Sequence, residues 1–200
     1  MNKFLALDTA SSYLTVLAVN GGKTVLRHTG DCALRHSVML MGEVEKALDE
    51  AALTPADCDF FCAVTGPGSF TGIRIGISAA KGFALAAGKP LMPLTAFELI
   101  AYNVEASDFC AVIDAAHGHY YACRFVNGVM QTPDYLSGET LSALNIPLYG
   151  YQPLELSGYT ALNAGECLLP AVTKKLECGA PFGEVHALYV RKSQAEEGRK

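Results

Sequence analysis

Two aspartates, Asp8 and Asp114, each close an apolar β-prone run, LALD in the first half of the chain and AVID in the second, and each opens a turn of small residues. Converging backbone N–H groups in such a turn can hold a phosphate while the neighbouring carboxylate holds its cation. An aspartate at a strand end is more often a plain turn former. Gly66 and Gly68 belong to the run GPGSFTG at 66–72, which follows the apolar stretch Phe60 to Val64 and leads into a helix, so helix-terminal amides there can cradle an anion, or the run is a purely structural crossover turn, the reading the spacing favours. The run is followed by no Lys-Ser/Thr pair, and no Asp or Glu lies between Asp59 and Glu98 to bind a ribose. His117 and His119 flank Gly118, a spacing that suits either a metal or a solvated hairpin tip. No Ser/His/Asp set and no nucleophile elbow can be assembled from the spacing.

These residues must be positioned by strands and turns. Lys3 to Leu7 reads as a strand, Tyr13 to Val19 as a second, and Thr24 to Thr29 as a third beyond the Asn20-Gly21-Gly22 turn. Leu34 to Leu53 has helical periodicity, with His36 near its start and Leu40, Val44, Ala47, Leu48 and Ala51 along one face. A strand at Phe60, a helix over 70–87, a short strand at Leu91 to Leu94 and a helix capped by Thr95 complete the half. The opening then recurs: LALDTASSYLTVLAVNG and AVIDAAHGHYYACRFVNG share the order strand, Asp, small residue, turn, strand, Asn-Gly. Such duplication predicts two lobes, 1–105 and 106–200. The second is reduced, with a Pro-, Gly-, Ser- and Tyr-rich stretch from Thr132 to Gly158 and one further helix over 163–176 that Pro170 would break.

Inside the helix at 70–87, Gly72, Gly76, Ala80 and Ala84 recur at every fourth position and Gly88 follows the end, which places them on one side of a 3.6-residue helix. Glycine inside a helix costs up to about 1 kcal/mol against alanine, so the stripe needs a reason, and the close approach of another backbone supplies one. The expected seam comprises Gly72, Ile73, Gly76, Ile77, Ala80, Phe83 and Ala84, with His36 and Leu40 of the first helix, facing a partner helix or a second copy. A tightly packed internal helix explains the stripe equally well.

Composition narrows the function classes. With 50 % hydrophobic residues the chain can bury a substantial core, and a net charge of −5 argues against a broad basic nucleic-acid surface. Seven cysteines without a CxxC pair read as reduced thiols of a cytoplasmic protein, not as disulfides or zinc ligands. Arg74 and Lys81 interrupt the most apolar helix, and no run reaches membrane-span length.

The string GPGSFTGIRIG at 66–76, with LALDTA, the RHS at Arg35 to Ser37, AKGFALAAGKPL at 80–91 and the closing LYVRK at 188–192, resembles the bacterial TsaB (YeaZ) family. The resemblance implies a two-lobed actin/Hsp70-like α/β fold, in which Asp8 and Asp114 would occupy the nucleotide-phosphate positions. It also implies a part in threonylcarbamoyl (t6A) modification of adenosine 37 in tRNAs that read codons beginning with A. The related TsaD chains carry two histidine metal ligands after their own GKPL-type stretch. Those positions fall on Ala96 and Ile100 here, so a non-catalytic scaffold is expected. Its implied partners are a TsaD-like catalytic subunit, a TsaE-like ATPase and, when alone, a second copy, with tRNA reached only through the complex. No tightly bound cofactor is expected, and ATP or ADP would sit at a partner interface. The competing reading is an enzyme in its own right, a nucleotide hydrolase or kinase using Asp8 and Asp114, or a metallopeptidase.

Overall fold

A computed structural model describes residues 2–179 and 182–191; Lys192 of the closing motif lies outside them. The first half forms β1 (Lys3–Asp8), β2 (Leu14–Asn20), β3 (Lys23–Thr29), α1 (His36–Ala51), β4 (Phe60–Val64), α2 (Phe70–Ala87), β5 (Leu91–Leu94) and α3 (Ala96–Ala101). Its sheet has the order β3-β2-β1-β4-β5, antiparallel across the first three strands and parallel from β1 to β5. The central strands β1 and β4 are buried almost throughout, as parallel-paired strands covered on both faces must be. α1 turns Leu40, Val44, Ala47, Leu48 and Ala51 inward, the face that the periodicity marks.

The second half repeats this plan with β6 (Phe109–Asp114), β7 (His119–Val126), β8 (Val129–Met130), β9 (Asp134–Ser137), α4 (Gly138–Ser142), β10 (Leu148–Gly150), β11 (Tyr159–Ala161) and α5 (Leu168–Glu177). Its sheet order is β11-β10-β6-β7-β8, with β9 also on β7. Asp8 pairs with Thr15 at the end of β1, and Asp114 with Tyr120 at the end of β6, so in both halves the aspartate closes the strand and opens the turn, which is one residue shorter in the second half. The architecture is therefore α/β, two-lobed, with mixed sheets.

The reduction of the second lobe has a definite place. Where α2 joins β4 to β5, residues 151–158 alone join the parallel strands β10 and β11, without a helix. A parallel crossover ordinarily needs about a dozen residues. Pro170 does not break α5. It stands in the first turn, where a missing N–H loses no intrahelical bond. The strap at 182–191, expected in the second lobe, returns to the first: Gly183 N donates to the Leu91 carbonyl at 3.1 Å and Leu188 N to the Thr65 carbonyl at 2.8 Å. Among the described residues no helix is long and apolar enough to cross a membrane.

Candidate functional site

The turn after β1 and the glycine-rich start of α2 are built for each other. Thr9 is fully buried, and its hydroxyl donates to the Gly72 carbonyl at 2.7 Å. A Cβ at Gly72 would overlap the Thr9 carbonyl oxygen, and one at Gly76 would overlap the Thr9 hydroxyl. Ser69 N donates to the Ala10 carbonyl at 2.6 Å, and the Ser69 hydroxyl accepts the Gly72 N–H as the helix cap at 3.2 Å. A Cβ at Gly68, whose φ is +153°, would overlap the Ala10 carbonyl.

This geometry corrects the expected seam. Gly72, Ile73, Gly76, Ile77, Ala80 and Ala84 are buried within their own chain, as are His36 and Leu40 of α1. The neighbour that the glycine stripe admits is the chain's own Asp8-Thr9-Ala10 turn. His36 places Nε2 2.8 Å from the Tyr13 carbonyl, inside the fold. Of the expected set, Phe83 alone is half-buried, and it lines a groove of about 270 Å³ between α1 and α2 with Met41, Val44 and Leu48. The outer faces of the two helices carry a different set. Val38 is 79 % exposed, Met41 54 % and Leu85 86 %, and Leu34 lies bare just ahead of α1. Gly42 of α1 and Gly82 of α2 stand among them, exposed, with nothing within 4 Å of an added Cβ.

The turns following β1 and β6 meet at a cleft of about 370 Å³ whose lining includes Ser11, Ser12, Ser69, Asp114, Tyr121 and Gln152. Gly68 joins this lining, whereas Gly66 faces Ile73 and the Leu188 carbonyl. Asp114 is exposed and spends one oxygen on the N–H of Ala116 at 2.9 Å; its own N–H donates to Gln152 at 3.0 Å. Asp8 is buried and makes the matching contact to Ala10 N, also 2.9 Å. Both aspartates are thus turn formers, and only Asp114 faces the cleft. Among the described residues the lining carries no lysine or arginine, so there a polyphosphate would meet hydroxyls and a carboxylate instead of counter-charge. His117 and His119 sit on the β6–β7 hairpin, where His119 stacks on Tyr135 at 4.8 Å. Among the described residues no cluster of three or more His, Cys, Asp or Glu side chains is placed to hold a metal, and Ala96 and Ile100 are fully buried in the core.

Burial pushes the Asp8 carboxyl up to about 6, against the opposing pulls of the Ala10 N–H and His36. The native state therefore keeps a proton that the unfolded chain releases near pH 4. Stability from this group is greatest below that value and falls as pH rises through about 6, by on the order of 3 kcal/mol in all. Asp8→Asn retains an acceptor for Ala10 N and removes the charge. In urea unfolding at pH 4.5 and 7.5 the variant is expected to gain on the parent by on the order of 2 kcal/mol between the two conditions. Parallel pH dependence in the two proteins would contradict this.

Comparison with known proteins agrees with the fold. The family model described as TsaD, tRNA N6-adenosine threonylcarbamoyltransferase, matches residues 30–179. The chain is 30 % identical over 195 residues to the tRNA threonylcarbamoyladenosine biosynthesis protein TsaB of Escherichia coli K12, covering 87 % of this chain and 84 % of that protein. Haemophilus influenzae TsaB is 34 % identical over 128 residues, 61 % of this chain and 53 % of that one. The solved structure of YeaZ from Pseudomonas aeruginosa superposes with a TM-score of 0.73 at 23 % identity over 94 % of this chain and 100 % of that chain, a likeness of fold.

Proposed function

Because the chain belongs to the TsaB (YeaZ) family, whose named members are tRNA threonylcarbamoyladenosine biosynthesis proteins, we propose that it is a non-catalytic scaffold of t6A synthesis. It acts by docking its α1–α2 outer face on a TsaD-like catalytic subunit, with a TsaE-like ATPase joining the pair and a second copy taking the face when the chain is alone. One observation carries this reading. Gly42 and Gly82 lie in exposed helical positions where no neighbour among the described residues needs the space, beside exposed Val38, Met41 and Leu85. An exposed interior glycine weakens a helix by about 1 kcal/mol, and the close approach of another chain's backbone gives it a use.

The apolar residues flanking these glycines supply the anchors such a contact needs. In this reading the chain holds no cofactor tightly, ATP or ADP is handled at the partner interface, and tRNA is reached through the complex in the cytoplasm. Catalysis stays with the partner, since Asp8 is buried and Asp114 is engaged in its own turn. The test is reconstituted tRNA modification with and without this chain, alongside turnover assays of the chain alone. Dependence on the chain together with no intrinsic turnover is the expected pattern. Intrinsic nucleotide hydrolysis or peptidase activity lost in Asp8→Ala would favour the enzyme reading instead.

A further inference from the structure

The closing motif is not used by the docking face. Its described residues, Leu188 to Arg191, lie at the end of the strap, where two contacts two residues apart reach different lobes. Tyr189 stacks on Phe70 with ring centroids 4.3 Å apart, and its hydroxyl accepts from Arg74 Nε at 3.0 Å. The Arg74 guanidinium covers the Phe70 ring at 4.1 Å. Arg191 donates from Nη1 to the Tyr135 hydroxyl at 2.9 Å and lies 4.8 Å from the centre of that ring. Phe70 and Arg74 belong to α2 in the first lobe, while Tyr135 belongs to β9 in the second.

Both anchors adjoin the cleft. Phe70 directly follows Ser69, and Tyr135 is the register partner of Tyr121; Ser69 and Tyr121 line the cleft from opposite lobes. The lobes are also joined through α3 and α5, where Lys175 pairs with Glu98 and Asn103 Nδ2 bridges the Leu99 and Cys167 carbonyls at 2.8 and 2.9 Å. We propose that residues 188–191 are a clasp that ties the two lobes together across the cleft mouth and sets its width. The α3–α5 packing acts as the fixed side, and the strap holds the lips at Ser69 and Tyr121 in register.

The proposal is tested on the full chain by electron-spin distance measurement between labels at Ser78→Cys on α2 and Glu139→Cys on α4, both exposed positions, with exposed Cys178 replaced by serine. Dilution with unlabelled protein removes distances between copies. Arg191→Ala, a change at an exposed side chain, is expected to raise the population of a longer interlobe distance about tenfold over the parent. Tyr135→Ala should reproduce that shift. If the strap only packs on the first lobe, Tyr189→Ala lowers thermal stability while Arg191→Ala and Tyr135→Ala leave the distance distribution of the folded protein unchanged. That result overturns the proposal.

Discussion

Replacing Val38 and Met41 together by aspartate is expected to abolish association with the catalytic partner and with a second copy while leaving the protein folded. Both side chains point outward from α1, at 79 % and 54 % exposure, so the substitutions remove no core contact. On binding they would bury two carboxylates in an apolar seam without counter-charge, against which the nearby Glu45 and Asp49 offer only further repulsion. Central anchors of an interface are commonly worth 2 kcal/mol or more each, so the double change should weaken association by on the order of 100-fold or more. Size-exclusion elution and partner capture measure this directly, and circular dichroism checks the fold. Unchanged association would place the docking face elsewhere.

The second large effect is a reversal of sign along one helix. Gly72→Ala puts a methyl group on the Thr9 carbonyl, a backbone atom pinned between β1 and β2, so the turn or the helix must shift. Overpacking of this kind costs about 1–3 kcal/mol and sometimes more, and here the Thr9-to-Gly72 hydrogen bond is strained as well. A loss of about 3 kcal/mol is expected in chemical unfolding. Gly82→Ala, in the same helix but facing open space, should instead stabilise the chain by about 0.5–1 kcal/mol. If the proposed docking holds, it should nevertheless weaken partner binding, because the added methyl would fill the space that docking leaves for the other backbone. A stable variant that binds worse separates the use of Gly82 from that of Gly72.

The glycine stripe shows what sequence makes legible and what it does not. Period and spacing place Gly72, Gly76, Ala80 and Ala84 on one helical side, all four are buried, and at Gly72 and Gly76 a close neighbour leaves no room for a Cβ. Which backbone approaches is a tertiary fact. The Asp8-Thr9-Ala10 turn is some sixty residues distant in sequence, and no local pattern records that Thr9 would bond to Gly72. The outward set had a fainter signal. Val38 and Met41 fall off the Leu40–Val44–Ala51 face by helical period, and Gly42 and Gly82 are the glycines that the inward stripe leaves over.

The duplicated strand-Asp-turn-strand pattern was readable because its alternation and Asn-Gly turns are local. The missing crossover helix at 151–158 and the path of the strap were not, since both depend on pairing with distant strands. For the aspartates, spacing alone cannot tell a carboxylate in a cleft from one spent on its own turn. Burial separates Asp8 from Asp114.

The central claim, that this chain supports t6A synthesis by binding and not by chemistry, is tested most directly by reconstituted modification of tRNA supplied with an activated threonylcarbamoyl donor and ATP. The assay contains the TsaD-like and TsaE-like partners, with parent chain, Asp8→Asn, Val38→Asp/Met41→Asp, or no added chain. Modification is expected with the parent and with Asp8→Asn, and neither with the double variant nor without the chain. Full modification without the chain, or with the double variant, would contradict the account.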